Sequence, residues 1–597
     1  MNLPSFLNQV DAIAKGLSKE DLVAFVHRIA RMQEEGNRER FLSSLCMHPT
    51  GQPEKRSAED ALRENAEDIH REMKEITEFL KQVGDGEHHI VGDLNEEYDD
   101  WYNCDADEFL FEDPEEILPK IQQACNLVER CADSELYAEA SQIAGALLSV
   151  QVPVEGEYSD YGNDFLSLTD MDENDLISLD FKEWMHTVLL AAYLSHPMEQ
   201  RPHALHKMMQ LPDRFLRLSM KKWIEKCGDS LEGLEEFLPL WLDYLGQQKE
   251  NSTEDLLKDA VSLMPQPGIV IDAARKYAET HPIIFEEALK AMADGSSEEE
   301  RYSLGREAME RIPAKYRIRG RIALLAAESA LLLGRREDAE RCWLEAFRSD
   351  TEPRQYLRMA AQCQDFSKYR EEMRQIFERF AAAAEKGLYA GDWIDGEFQE
   401  NSVERNDYYM LLFLDGQFAK VMNEAMQVQD ALGWSSTFMK EGLALFLLFL
   451  CRSNELGPGC LAMCERACHM IRYGHPGGRE KSRSFQEKKG FPFWDCFRAW
   501  RDQTPMEDSF QEKALAKLDG WISNRAEGIV RGQYRKQYGE CAAYIAALGE
   551  VEESRGESDA KQRILRKYRE RYPRHRAFHE ELQQFGMIKP GKIGSTR

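Results

Sequence analysis

From about residue 181 to its last residues, the chain repeats one pattern: roughly 12 to 20 residues with apolar side chains at helical spacing, then a short break. Leu240, Trp241, Tyr244 and Leu245 make one such stripe, and Ala273, Tyr277, Phe285, Leu289 and Met292 belong to the next pair. Strand-like alternation over five or more residues is almost absent, and no Asn-Gly turn separates two apolar runs. Helices joined by short loops must pack as antiparallel neighbours. The sequence therefore predicts an all-α fold of stacked antiparallel helical hairpins, an α-solenoid with acidic loop insertions.

Ahead of that array the organisation is less regular. Residues 1–48 read as a small helical unit, in which Ser18 and Asp21 form a capping box before the stripe Leu22, Phe25, Val26, Ile29 and Ala30. Residues 49–113 combine a linker containing Pro49, Gly51 and Pro53, a charged helix from about 58 to 82, and an acidic loop. That loop, 84–116, threads Tyr98, Trp101, Tyr102, Phe109 and Phe111 through its carboxylates. A purely solvating tail lacks aromatics, so part of the loop is expected to dock on the body of the protein or on a partner. Residues 114–315 read as helical hairpins interrupted by a second acidic loop near 153–180, with Tyr158, Tyr161 and Phe165. The remainder divides into a repeat region at 316–455, a C-terminal helical region with basic last helices at 456–586, and a flexible tail at 587–597.

A chain of 597 residues is too long for one compact core, and 43% apolar content supplies ample material for an extended one. Its net charge of −31 repels nucleic acid and anionic membrane on average, so contact with either needs a local basic patch. The longest apolar run, Leu443 to Cys451, is far short of the ~20 residues a bilayer demands and predicts a buried helix, with no membrane partner. Thirteen scattered cysteines, and a start at Met1-Asn2-Leu3-Pro4 without a basic flank and apolar core, give the expectation of reduced thiols in the cytoplasm.

Residues 323–353 resemble a tetratricopeptide repeat. Gly334 occupies the inter-helix glycine, Ala339 and Ala346 the small positions of the second helix, and Trp343 the large position between them. Ala326 and Ala327 fall where the first helix needs small residues, and Pro353 lies one residue past the usual closing proline. Small residues let two helices approach while one ring fills the groove of the next pair. Gly416 with Ala425 resembles a weaker copy in which Val421 replaces a small residue; Ala542, Ala546 and Ala547 with Gly556, Ala560 and Pro573 resemble a stretched one. The succession of acidic loop, hairpins and basic final helix is also similar to the helical portion of bacterial SWIM zinc-finger proteins. The C-x-C and C-x-H motif of that family is absent, so no zinc and no site is carried over.

Motifs for catalysis, phosphate cradling and dinucleotide binding are missing, and no cofactor is expected. Cys460, Cys464, Cys468 and His469, with His475 nearby, suggest a metal cluster, but on one helix Cys460 and Cys468 stand about 12 Å apart along the axis. One zinc holds its thiolates at about 2.3 Å, so those two cannot share an ion, and small core thiols are the better reading. Asp170-Met171-Asp172-Glu173-Asn174 begins like a calcium loop. Asp175 and Phe181 stand where a glycine and a bidentate glutamate are needed, which leaves a solvated acidic loop. Leu176 to Lys182 could end a strand of a metal-dependent nuclease, with Asp180, Lys182, and Asp160 or Asp164 in its site. The bland alternative makes Asp180 the cap of the following helix. His88-His89 and Cys46-Met47-His48 are read as surface features.

The retained feature is a concentration of cations: Lys561, Arg563, Arg566, Lys567, Arg569, Arg571, Arg574 and Arg576 against Glu570 alone. Ile564, Leu565, Tyr568 and Tyr572 form the apolar stripe beneath them. Three readings stand: a solvated last helix, docking on an acidic surface of this protein or a partner, and binding of nucleic acid. The leading functional expectation is a non-enzymatic adaptor whose concave face binds a protein or peptide, with Tyr408, Tyr409 and Phe413 as exposed aromatic anchors. The alternatives are nucleic-acid binding through 561–576 and a nuclease-like enzyme around 160–182.

Overall fold

The two acidic stretches, expected as loops, close on each other to form a sheet. The computed structural model describes residues 58–94, 109–160, 164–211, 219–228, 231–249, 253–292, 297–380, 396–427, 431–472 and 493–588. The N-terminal unit 1–48 and its linker, Tyr98, Trp101, Tyr102, Tyr161, His475 and the tail from 589 lie outside them. Two compact units divide the chain, Met1–Gln82 and Val83–Arg597. In the first, helix α1 (Ala58–Gly84) buries Ile69, Ile76, Phe79 and Leu80, spaced for a single face.

In the second unit, β1 (Ile90–Leu94) pairs antiparallel with β2 (Phe109–Glu112). After a hairpin of α2 (Ile117–Asp133) and α3 (Tyr137–Ser149), β3 (Val152–Glu155) returns parallel to β1, and β4 (Phe165–Leu166) closes the order β2-β1-β3-β4. Ile90, Val152, Val154 and Leu166 face inward and are buried. Phe109 and Phe111 meet Tyr158 edge-on, with ring centroids at 4.9 and 5.1 Å. Gly92, opposite Phe111, makes this possible: a Cβ there would stand 2.9 Å from that of Tyr158. The purely helical expectation is corrected here. Strands of two to five residues are too short to show alternation, and β1 and β3 lie about 60 residues apart in sequence.

The structure is 72% helix and 4% strand, so the remainder is helical as expected. A short helix α4 (Leu168–Glu173) leads into α5 (Phe181–Leu194), which packs on the α2–α3 hairpin with the Trp184 indole donating to the Cys125 carbonyl at 3.2 Å. Farther along, α6 (Glu298–Arg311), α7 (Arg317–Leu332), α8 (Arg336–Ser349) and α9 (Pro353–Gln362) pack consecutively. Ala327, Ala339, Trp343 and Ala346 are buried at their contacts. A Cβ on Gly305 would lie 2.7 Å from that of Ala326, which marks a close approach of α6 and α7. Gly334, in the α7–α8 turn, has φ +73° with open space around it; the backbone conformation, not crowding, requires glycine.

Gly416 and Gly556 are also left-handed, at φ +80° and +106°. Beyond Gly416 the resemblance needs correction. α10 (Arg405–Leu414) is followed by three helical residues, Phe418–Lys420, and a π-helical turn, Val421–Ala425, in place of a full second helix. The apolar run is α11 (Met439–Leu450), buried among other helices. Among the described residues no helix is long and apolar enough to cross a membrane. The C-terminal region includes α12 (Pro458–Met470), α13 (Phe493–Asp502), α14 (Asp508–Arg531), α15 (Tyr538–Ser554), α16 (Ala560–Arg571) and α17 (Arg576–Gln584).

Residues 396–402 run as a strap along the ends of successive hairpins. The Glu397 carboxylate accepts from His281 Nδ1 at 2.6 Å and from the Ile283 amide at 2.9 Å, while His281 Nε2 meets the Gln248 carbonyl at 2.5 Å. The Arg317 amide then donates to the Gln399 carbonyl, and the Asn401 amide to that of Lys315. Burial opposes charge on His281, but its bonds to Glu397 and Gln248 and the charges of Glu397 and Glu254 prevail, and its pKa is raised. A raised folded value means that this contribution to stability is complete below the ordinary histidine pKa. It is lost as pH rises through the folded value. We expect the melting temperature to fall more steeply above about pH 6.5 in the native chain than in His281→Gln. Parallel melting profiles for the two proteins would refute the role assigned to the imidazolium.

Candidate interaction surface

The basic cluster is distributed over two turns and one helix flank. On α16, Ile564, Leu565 and Tyr568 are buried together with Tyr572 just beyond it, as the periodicity implies. Lys561 pairs with Glu550 at 2.6 Å, Arg563 with Glu552 and Glu557 at 3.6 and 3.7 Å, and Arg571 with Glu527 at 2.8 Å. Arg576 pairs with Glu580 within its own helix. These carboxylates belong to neighbouring helices and turns, not to the acidic stretches near the sheet. Among the described residues, Arg566, Lys567, Arg569 and Arg574 have no carboxylate within ion-pair distance.

Glu527, on α14, joins this cluster to a second one. It accepts from Arg531 at 2.5 Å, from Arg571 at 2.8 Å and from the Tyr572 hydroxyl at 2.7 Å. The Tyr572 hydrogen bond, with the charges of Arg571 and Arg531, holds its carboxyl below the usual range. The ends of α14 and α16 therefore converge, and the turn after α14 lies beside the turn after α16. Residues 531–536 are all exposed, and they include Arg531, Tyr534, Arg535 and Lys536. Tyr534 is 47% exposed, its ring folded back over Gly532, where a Cβ would stand 2.4 Å from it. Sequence reasoning missed these residues. The available signal was the run Arg531-Gly532-Gln533-Tyr534-Arg535-Lys536, an aromatic flanked by cations at a glycine.

The other candidates fall elsewhere. Tyr408, Tyr409 and Phe413, expected as exposed anchors, are 3%, 7% and 0% exposed, which corrects that expectation. Neighbours cover α10 from Asp407 to Leu414, and Phe413 sits among Phe418, Phe446, Phe449 and Trp500 with centroids 5.0 to 6.1 Å away. Cys460, Cys464 and Cys468 are buried on α12, and burial pushes the Cys464 thiol up to about 12. Among the described residues no group of three His, Cys, Asp or Glu side chains is placed to hold a metal.

Asp170 is committed to a capping box with Ser167 at the start of α4. Asp180 caps α5 by accepting from the Glu183 amide at 3.1 Å, and 174–180 contains no strand. The strand on which the nuclease reading depends is therefore not formed. Asp172, Asp175 and Asp180 line a cleft of about 850 Å³ with Thr169, Ile177 and Lys182. Burial, then the charges of Asp180, Asp175 and Glu173, raise the Asp172 pKa. His88 and His89 instead tie the sheet: their Nδ1 atoms lie 2.5 and 3.2 Å from Glu115. Comparison with known proteins returned no matching family model and no matching curated protein.

Proposed function

We propose that this chain is a non-enzymatic scaffold of tetratricopeptide-like helical hairpins that binds a protein or peptide partner. The observation that supports this reading is the consecutive packing of α6 to α9 through small residues, with a left-handed glycine at the α7–α8 turn. Hairpins stacked in this way expose one helix face per pair along an extended surface, and a partner is selected by side chains on those faces. On α7, Leu332 remains available at 51% exposure, two residues before the left-handed Gly334, while Arg321 is held by the buried Glu286 carboxylate at 2.8 Å. A solvent-facing leucine at the end of a stacked helix is a suitable rim for a peptide that contributes one apolar side chain.

The test is capture of partners from cell extract by the tagged chain, with and without nuclease, beside the variant Leu332→Asp. The expected result is a discrete protein that survives nuclease and is depleted at least ten-fold on the variant, whose melting temperature stays within a few degrees. Association that disappears with nuclease, or is indifferent to Leu332→Asp, would overturn the reading.

A further inference from the structure

We propose that the paired turns after α14 and α16 form a binding platform for single-stranded nucleic acid, with Tyr534 as a base-stacking ring and the surrounding arginines as phosphate ligands. This proposal is independent of the scaffold reading and uses a different surface. The first support is the junction at Glu527, which holds Arg531 and Arg571 on one carboxylate and so sets turn 531–536 against turn 571–576. Arg531 and Arg571 meet on that carboxylate, and the exposed residues that follow them carry Arg535 and Lys536 in one turn and Arg574 and Arg576 in the other. Such an excess of cations would not collect on a chain of net charge −31 through average composition.

The second support is the helix geometry. Lys567 lies one turn before Arg571 on the same flank of α16, and Arg566 opens onto the outer face, whereas Arg569 lies on the opposite flank. The platform therefore runs from Arg566 and Lys567 across Arg571 and Arg574 to Arg535 and Lys536. The third support is chemical. Arginine presents a planar fork that matches phosphate oxygens and also stacks on bases. Tyr534 rests on Gly532 and remains half-exposed, with Arg535 and Lys536 following it in the same exposed turn. An acidic peptide would use the charges but has no comparable need for an exposed ring. A base stacks on such a ring whatever its sequence.

The experiment is fluorescence anisotropy of the full chain with a labelled 12-nucleotide single-stranded RNA, titrated from 50 to 300 mM salt, with poly-glutamate as competitor. The five platform cations without ion pairs, Arg535, Lys536, Arg566, Lys567 and Arg574, give a log–log salt slope of about −3.5, at roughly 0.7 per phosphate. Tyr534→Ala should lose about ten-fold in affinity, as expected for one stacked base, with the slope unchanged. Arg566→Glu/Lys567→Glu/Arg574→Glu should lose more than thirty-fold and flatten the slope. Arg569→Glu alters net charge but lies off the platform, and should lose no more than about three-fold. None of these side chains is buried, so circular dichroism and melting should match the native chain. Absence of RNA binding at 50 mM salt, equal losses in the triple variant and Arg569→Glu, or displacement of RNA by poly-glutamate at equal charge with Tyr534→Ala silent would each overturn the proposal; the last would assign the surface to an acidic protein.

Discussion

Asp415→Ala is expected to destabilise the second unit by about 3 kcal/mol, the lower end of the range for removing one partner from a buried ion pair. Asp415 is 1% exposed at the end of α10. Its carboxylate accepts from the Tyr356 hydroxyl at 3.0 Å, from Arg370 Nε at 3.2 Å, from Arg374 Nε at 2.6 Å and from the Gln417 amide at 3.0 Å. Alanine leaves two guanidinium groups and a fully buried phenol facing an empty space. The arginine side chains are about one-third exposed, so water recovers part of the loss, and this places the effect at the lower end. Asp415→Asn keeps the shape but brings an amide N–H group towards cations, and should cost nearly as much. Urea unfolding measures both. A loss below about 1 kcal/mol for alanine would mean that the arginines and Tyr356 find replacement partners.

The next residue shows why this turn tolerates little change. Gly416 has φ +80°, and a Cβ there would lie 2.9 Å from Arg370 Nη2. The aspartate that anchors the helix Ser367–Glu378 and the glycine that leaves room for its arginine are consecutive in sequence. Asp415-Gly416 was legible as a helix-ending turn. Its anchoring role was not, because the partners Tyr356, Arg370 and Arg374 lie 41 to 59 residues away.

The same contrast between local and distant information runs through the molecule. Helical periodicity reports a local property, so the hairpins, the Gly334 turn and the apolar stripe of α16 could be read directly. The sheet depends on β1 meeting β3, and each contributes too few residues to display a period of two. The burial of Tyr408, Tyr409 and Phe413 was legible in principle. The run Tyr408-Tyr409-Met410-Leu411-Leu412-Phe413-Leu414 is apolar on every face of a helix, and such a helix is enclosed on all sides. For the basic surface, one half was visible as a concentration of cations in 561–576. The other half, 531–536, becomes adjacent through Glu527, which sequence distance conceals.

Gly459→Ala should produce the largest loss from a single methyl group, about 2 to 4 kcal/mol, as overpacking and a lost helix cap combine. On α12 a Cβ at this position would stand 2.3 Å from the Ala547 amide nitrogen, 2.6 Å from the Ala546 carbonyl carbon and 2.8 Å from the Ala547 Cα. All three are backbone atoms of α15, so no rotamer change relieves the clash, and the helices must separate. Overpacking of this kind costs about 1 to 3 kcal/mol. Separation carries a second cost, because Glu550 of α15 caps α12 by accepting from the Gly459 and Cys460 amides at 3.0 and 2.7 Å. Loss of a helix cap adds about 1 kcal/mol. Glu550 also receives Lys561 Nζ at 2.6 Å, so displacement at Gly459 extends to the first turn of α16. Hydrogen exchange on Gly459→Ala should therefore rise in α12 and in the first turn of α16 together, while the hairpins α6 to α9 keep their protection. Glu550→Gln retains one of the two acceptor oxygens and removes the charge, and should weaken the hold on Lys561 and raise exchange in the first turn of α16 without separating α12 from α15. Faster exchange in α12 alone would show that the capping carboxylate does not couple the two helices.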